Sequence, residues 1–174
     1  FVRVEQQMRI PRANKSYSLN EGNRLTFPEG YQKYLHWAQE NGYSSRYAGA
    51  MVGDVHRILL HGGVFMYPPT KKAPKGKLRL MYEANPMGMI VEQAGSKALA
   101  APGLRLLDVP PTDIHQRTPV IMGSPDEVDR VVAHFLQGHC RTGWSARKSR
   151  ETIAFPTSIL QALREQAIGL GHPA

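Results

Sequence analysis

Apolar residues recur along the chain at two spacings, one that fits helices and one that fits strands. In PEGYQKYLHWAQENG, Tyr31, Tyr34, Leu35 and Ala38 fall three and four apart, with Pro28 suited to a first turn and Gly42 to a stop. This predicts a helix with one buried stripe. YAGAMVGDVHRILLHGG repeats the pattern through Met51, Val52, Val55, Ile58 and Leu59 and breaks at Gly62 and Gly63. In SPDEVDRVVAHFLQ, Ser124 and Glu127 have capping-box spacing ahead of Val128, Val131, Val132, Phe135 and Leu136. PMGMIVEQA predicts a short helix with Asn85 as N-cap, Pro86 first and Gly95 as stop.

The strand-like runs lie between these helices. KSYSL before Asn20, VFMY, KLRLMYEA, LRLLDV and TPVIMG are short and either alternate or are apolar throughout. PPTKKAPKG, with three prolines and a glycine, reads as a loop. Strands interleaved with helices, several of them apolar on both faces, predict an α/β layered sandwich whose mixed sheet is flanked by helices. That domain is expected over residues 1–137. Residues 138–174, beginning GHCRTGWSARKSRE, form a basic tail, with a possible amphipathic helix through Ile159, Leu160, Leu163 and Ile168.

Composition narrows the partners. At 174 residues, 41% hydrophobic and 21% charged, the chain suits one folded domain. Twenty-two Lys and Arg against 14 Asp and Glu give +8, which favours anionic partners without choosing among them. No stretch reaches the roughly 20 apolar residues a membrane span requires, so no membrane is expected. SARKSR near Trp144 lacks the basic-aromatic alternation of a nucleic-acid platform, so no nucleic acid is expected either. A lone cysteine, Cys140, rules out an internal disulfide framework and suits a cytoplasmic or equivalent reducing space. His134, His139 and Cys140 do not have zinc-site spacing.

The candidate chemistry gathers in KKAPKGKLRLMYEANP. Lys71, Lys72, Lys75, Lys77 and Arg79 crowd one end, and Glu83 stands alone at the other. Read as a strand, the segment points Lys77, Arg79 and Glu83 to one face, with Lys77 and Glu83 roughly 20 Å apart at about 3.3 Å per residue. A small molecule with anionic groups at both ends fits that span if a divalent cation, ordinarily Mg²⁺, lies between Glu83 and the second anion. Arg46 and Tyr47, just ahead of a helix start, and Asn20 and Tyr67, at strand ends, are further candidate anion contacts.

YSLNEGN, SRYAGAMVGDVHR, GGVFMYP, KGKLRLMYEANPM and DVPPTDIHQRTPVIMGSPDEV, in that order, closely resemble the C-terminal half of class I fructose-1,6-bisphosphatases. The resemblance implies Mg²⁺-dependent hydrolysis of the 1-phosphate of fructose 1,6-bisphosphate, in gluconeogenesis or the Calvin cycle, by a homotetramer. It implies that Asn20, Tyr47, Tyr67 and Lys77 grip the 6-phosphate, that Arg46 reaches a neighbouring subunit's site, and that Glu83 binds metal. Asn23 departs from the family pattern, where a tyrosine commonly follows NEG, and implies altered phosphate binding. The family's Asp-Gly-Ser-Ser metal motif, its acidic catalytic loop and its AMP site are not in these residues. With Phe1 in place of a starting Met, this implies a fragment that binds sugar phosphate weakly and hydrolyses nothing alone. The alternatives are a non-catalytic sugar-phosphate-binding module and a dual fructose/sedoheptulose bisphosphatase.

Overall fold

The computed structural model describes residues 5–136, so the basic tail and Cys140 lie outside it. In chain order its elements are β1 (Ser16–Ser18), α1 (Glu29–Glu40), β2 (Ser44–Ser45), α2 (Met51–His61), β3 (Val64–Tyr67), β4 (Leu78–Arg79) and α3 (Asn85–Gln93). β5 (Lys97–Ala101), β6 (Leu104–Arg105), β7 (Arg117–Thr118), β8 (Val120–Gly123) and α4 (Pro125–Leu136) follow. The main sheet has the order β2-β1-β3-β8-β5-β6, and β4 and β7 form a separate ribbon. β1 runs parallel to both β2 and β3, whereas β3-β8, β8-β5 and β5-β6 are antiparallel. The sheet is mixed, as the sequence predicts.

The apolar runs are explained by what lies on each side of them. Alternate residues of a strand face opposite ways. Val64 and Met66 of β3 and Ile121 of β8 accordingly join one core with Tyr34 and Leu35 of α1 and Val128 and Val131 of α4. Phe65, Val120 and Met122 join the other, with Val55 and Ile58 of α2 and Val91 of α3. Each of these residues is at most 1% exposed. The result is helix, sheet, helix, with no face of the central strands left to water.

Five expectations need correction. KLRLMYEA is a strand only over Leu78–Arg79; Leu80–Ala84 winds as a π-helical turn that runs directly into α3. The buried positions Leu80, Ala84, Gly88 and Val91 explain this, because they fall four, four and three apart, and that spacing outweighs the alternation. Asn85 is therefore already helical, at φ −62° and ψ −47°, and does not cap. Ser124 and Glu127 make no capping box. The Ser124 hydroxyl donates to the Pro11 carbonyl at 2.6 Å and accepts the Gly63 N–H at 3.0 Å, while Glu127 turns inward to Tyr43 and Arg130. LRLLDV is a strand only at Leu104–Arg105 and then turns as a 3₁₀ helix. On α2, Val52 is 62% exposed and falls outside the core stripe. Among the described residues no helix is long and apolar enough to cross a membrane.

Candidate functional site

β1 and β3 are adjacent and parallel, so their C-terminal ends open on the same edge of the sheet. In α/β proteins such a crevice beyond the strand ends is where ligands bind. Beyond β1 the chain turns through Asn20, whose Oδ1 accepts the Gly22 N–H at 3.2 Å and caps a 3₁₀ helix over Glu21–Thr26. Asn23 lies on that turn. β3 ends at Tyr67. Asn20, Asn23, Tyr67 and Thr70 line a shallow hollow of about 20 Å³, open to solvent, with Phe27 and Met66 among its apolar lining. Three of the sequence-predicted anion contacts thus meet in one place.

Tyr47 joins them from a different element. Its phenol is pushed up from its ordinary value, first by burial and then by nearby Tyr67 and Asp54. Tyr67, which lines the hollow, is thus within electrostatic reach of Tyr47. Arg46 and Tyr47 are on the segment leading into α2, which begins at Met51. Arg46 is exposed; its N–H donates to the Tyr17 carbonyl at 2.8 Å.

Lys77 and Glu83 do not line the hollow, and they do not share a strand face. Lys77 is exposed just before β4, and its carbonyl accepts Arg117 Nη1 at 2.8 Å. Gly76, beside it, packs against the β7 backbone. From Leu80 the chain coils, which removes the extended span expected between the two side chains. Glu83 instead folds back on β4: Oε2 accepts the Arg79 N–H at 2.7 Å, and Oε1 lies 3.4 Å from the Arg79 guanidinium. Its side chain is 28% exposed.

Among the described residues no three His, Cys, Asp or Glu side chains are grouped to hold a metal ion. Magnesium binds through one or two carboxylates while keeping waters and phosphate oxygens. Glu83 fits that chemistry as a single ligand, partly open to solvent.

Sequence reasoning assigned no role to two side chains of α2. Asp54 is 2% exposed, and both of its oxygens accept the Ala48 N–H, at 3.1 and 3.3 Å. Arg57 donates Nη2 to the Arg46 carbonyl at 3.3 Å and Nη1 to Ser16 Oγ at 3.4 Å. Both lie in the DVHR stretch. The available signal was an acid in a helix's first turn, which by itself indicates no more than a favourable helix dipole.

A second cleft, about 670 Å³ with its open mouth, lies away from these residues and is lined by Trp37, Tyr43, Glu127 and Arg130 among others. Glu127, 1% exposed, accepts the Tyr43 hydroxyl at 2.9 Å and Arg130 Nη1 at 2.7 Å, and the guanidinium lies 5.5 Å from the Trp37 ring centre. This network ties α4 to α1.

Comparison with known proteins gives a consistent family. The family model described as Fructose-1-6-bisphosphatase, C-terminal domain, matches residues 10–136. The class 1 fructose-1,6-bisphosphatase of Cytophaga hutchinsonii is 52% identical over 143 residues, which cover 79% of this chain and 41% of that protein. That of Nostoc punctiforme is 47% identical over 141 residues, covering 80% and 40%. Among solved structures, Leishmania major fructose-1,6-bisphosphatase in its holo form superposes with a TM-score of 0.71 at 47% identity, covering 74% of this chain and 41% of that one. Its apo form gives 0.73 at 46% identity, covering 76% and 43%. The chain spans about two fifths of the length of the curated relatives it matches.

Proposed function

The chain belongs to the fructose-1,6-bisphosphatase family as its C-terminal domain, and on that premise we propose that it is the sugar-phosphate-holding part of a longer sugar bisphosphatase. The longer protein hydrolyses the 1-phosphate of fructose 1,6-bisphosphate, leaving fructose 6-phosphate and inorganic phosphate. The single observation that carries this reading is the convergence of Asn20, Asn23 and Tyr67 on one hollow at the ends of two parallel strands.

Two asparagine amides and two phenols present uncharged donors. A phosphoryl group takes several of them at once, as charge-assisted hydrogen bonds roughly twice as strong as neutral ones. Lys77 adds an ammonium from the exposed loop before β4, and Arg46 extends the cationic rim toward a neighbouring subunit of a homotetramer. Asn23 supplies an amide in place of a third phenol. Glu83 contributes one ligand to a magnesium centre completed by carboxylates from outside these residues; the ion neutralises charge on the phosphate being removed. The work of this chain is to bind and orient the sugar's other end. The enzyme acts in carbohydrate metabolism, in the cytoplasm.

Calorimetric titration of the 174-residue chain with fructose 6-phosphate tests this reading. Wild-type chain is expected to bind in the millimolar range, and Lys77→Ala and Tyr67→Phe to weaken binding by about fivefold or more, the equivalent of about 1 kcal/mol. Phosphate release from fructose 1,6-bisphosphate with Mg²⁺ is expected to stay at background. Binding indifferent to both substitutions, or turnover by this chain alone near an ordinary enzyme rate of about 10 s⁻¹, contradicts the reading.

A further inference from the structure

The segment that carries Arg46 and Tyr47 leaves the sheet early. Its pairing with β1 ends at Ser45, followed by one bond from the Arg46 N–H to the Tyr17 carbonyl, and α2 does not begin until Met51. Ala48, Gly49 and Ala50 have no side chains able to anchor this stretch, and Ala50, the N-cap of α2, makes no side-chain cap bond. Asp54 of α2 reaches back to it instead, taking the Ala48 N–H on both oxygens.

An acid in the first helical turn is ordinary, because it complements the helix dipole. A first-turn acid can complement the dipole while largely exposed, as Glu29 does at the start of α1, where its side chain is 79% exposed and pairs with Lys33 at 2.6 Å. Asp54 is 2% exposed, and burying a carboxylate is costly unless it is bonded. Its burial is matched to the one backbone N–H that fixes the residue after Tyr47.

We propose that Asp54 is a positioning residue for phosphoryl recognition: by holding the Ala48 N–H it sets the course of the segment that carries Tyr47. This rests on reading the hollow as the sugar-phosphate site. The carboxylate is itself close enough to Tyr47 to help raise its phenol, so its charge opposes an incoming phosphate. Its placement effect and its charge effect on binding therefore have opposite signs, and two substitutions separate them.

Asp54→Ala removes acceptor and charge. Asp54→Asn keeps an oxygen that accepts the Ala48 N–H and removes the charge. The experiment titrates fructose 6-phosphate into the 174-residue chain and its Asp54→Ala, Asp54→Asn and Tyr47→Phe variants, with amide exchange at Ala48 and thermal melting followed in parallel. Asp54→Ala is expected to raise the dissociation constant about fivefold to tenfold, as the loss of a hydrogen bond of order 1 kcal/mol does, and to speed exchange at Ala48. Asp54→Asn is expected to stay within about twofold of wild type or to bind more tightly, with Ala48 still protected.

Folded Asp54→Ala with wild-type affinity overturns the inference. If Asp54→Ala does not fold, Asp54→Asn decides: retained affinity with a protected Ala48 supports the inference, and affinity lost while Ala48 stays protected overturns it. Should Tyr47→Phe weaken binding while Asp54→Ala does not, this inference fails and the hollow's assignment stands. Wild-type chain that binds no fructose 6-phosphate, or Tyr47→Phe that binds unchanged, removes the assignment and the inference together.

Discussion

Gly76→Ala, read against Gly42→Ala, isolates the contact that seats Lys77. Gly76 has φ +81° and Gly42 has φ +72°, so an added side chain meets the same left-handed penalty at both, about 1 kcal/mol. Their surroundings differ. A Cβ at Gly42 meets nothing within 4 Å, whereas one at Gly76 falls 2.5 Å from both the Pro119 nitrogen and the Thr118 carbonyl oxygen. That is about 1 Å short of ordinary contact, and the obstacle is backbone, which cannot swing aside as a side chain can. The β4-β7 ribbon has only two residue pairs, Leu78 with Thr118 and Arg79 with Arg117, over which to spread the displacement.

Overpacking of this kind costs about 1–3 kcal/mol beyond the backbone term. Gly76→Ala is therefore expected to lose about 3 kcal/mol and Gly42→Ala about 1. Urea denaturation of the three chains, followed by far-ultraviolet circular dichroism, measures both. Because Lys77 follows Gly76 and its carbonyl is held by Arg117, Gly76→Ala is also expected to weaken fructose 6-phosphate binding, while Gly42→Ala leaves it unchanged. Equal losses of stability at the two positions, to within about 0.5 kcal/mol, refute the steric reasoning.

Tyr43 supplies a pH prediction. Burial, the hydrogen bond to Glu127 and that residue's charge push its phenol up to about 12 from 10.0. Between those values the unfolded chain has lost this proton and the folded chain keeps it, so the contribution is complete below pH 10 and disappears as pH rises toward 12. Thermal melts of wild type and Tyr43→Phe across that range are expected to show the steeper alkaline fall in wild type; parallel curves remove Tyr43 as the cause. Glu83→Gln preserves an oxygen for the Arg79 N–H, so the isolated chain is expected to melt within about 1 kcal/mol of wild type. In the longer protein the same change is expected to raise the magnesium concentration for half-maximal activity about tenfold or more; an unchanged magnesium requirement excludes Glu83 as a ligand.

Legibility in the sequence followed how far each signal depends on distant partners. α1, α2 and α4 were plain because three- and four-residue spacing is a local property, and β3 and β8 because strands covered on both faces are apolar throughout. β5 was missed. KALAA is a poor strand former by composition, and it is a strand because Lys97, Ala98 and Leu99 pair with Gly123, Met122 and Ile121. The segment from Lys77 to Glu83 reads as a strand because Leu78, Leu80 and Tyr82 alternate, and the competing spacing of Leu80, Ala84, Gly88 and Val91 becomes visible only across the junction into α3. Asn20 and Tyr67 were legible as polar residues at strand ends and Asn23 only through the family motif, and their meeting depends on β1 and β3 being neighbours. Asp54 went unassigned for a different reason: its role exists only once the segment ahead of α2 has folded back over it.

The π turn has a consequence for how this protein can vary. With the Asn85 N–H bonded to the Leu80 carbonyl, one residue more than an α-turn would hold is looped out between β4 and α3. Deleting any single residue there would let the coil tighten, rotate everything upstream by roughly a quarter-turn relative to α3, and swing Glu83 off Arg79 while the hydrophobic anchors further along stayed put. Length at this junction is thus as constrained as chemistry: the exposed Met81 can be replaced without touching the core, yet a related chain one residue shorter at that point would no longer aim its acid the same way.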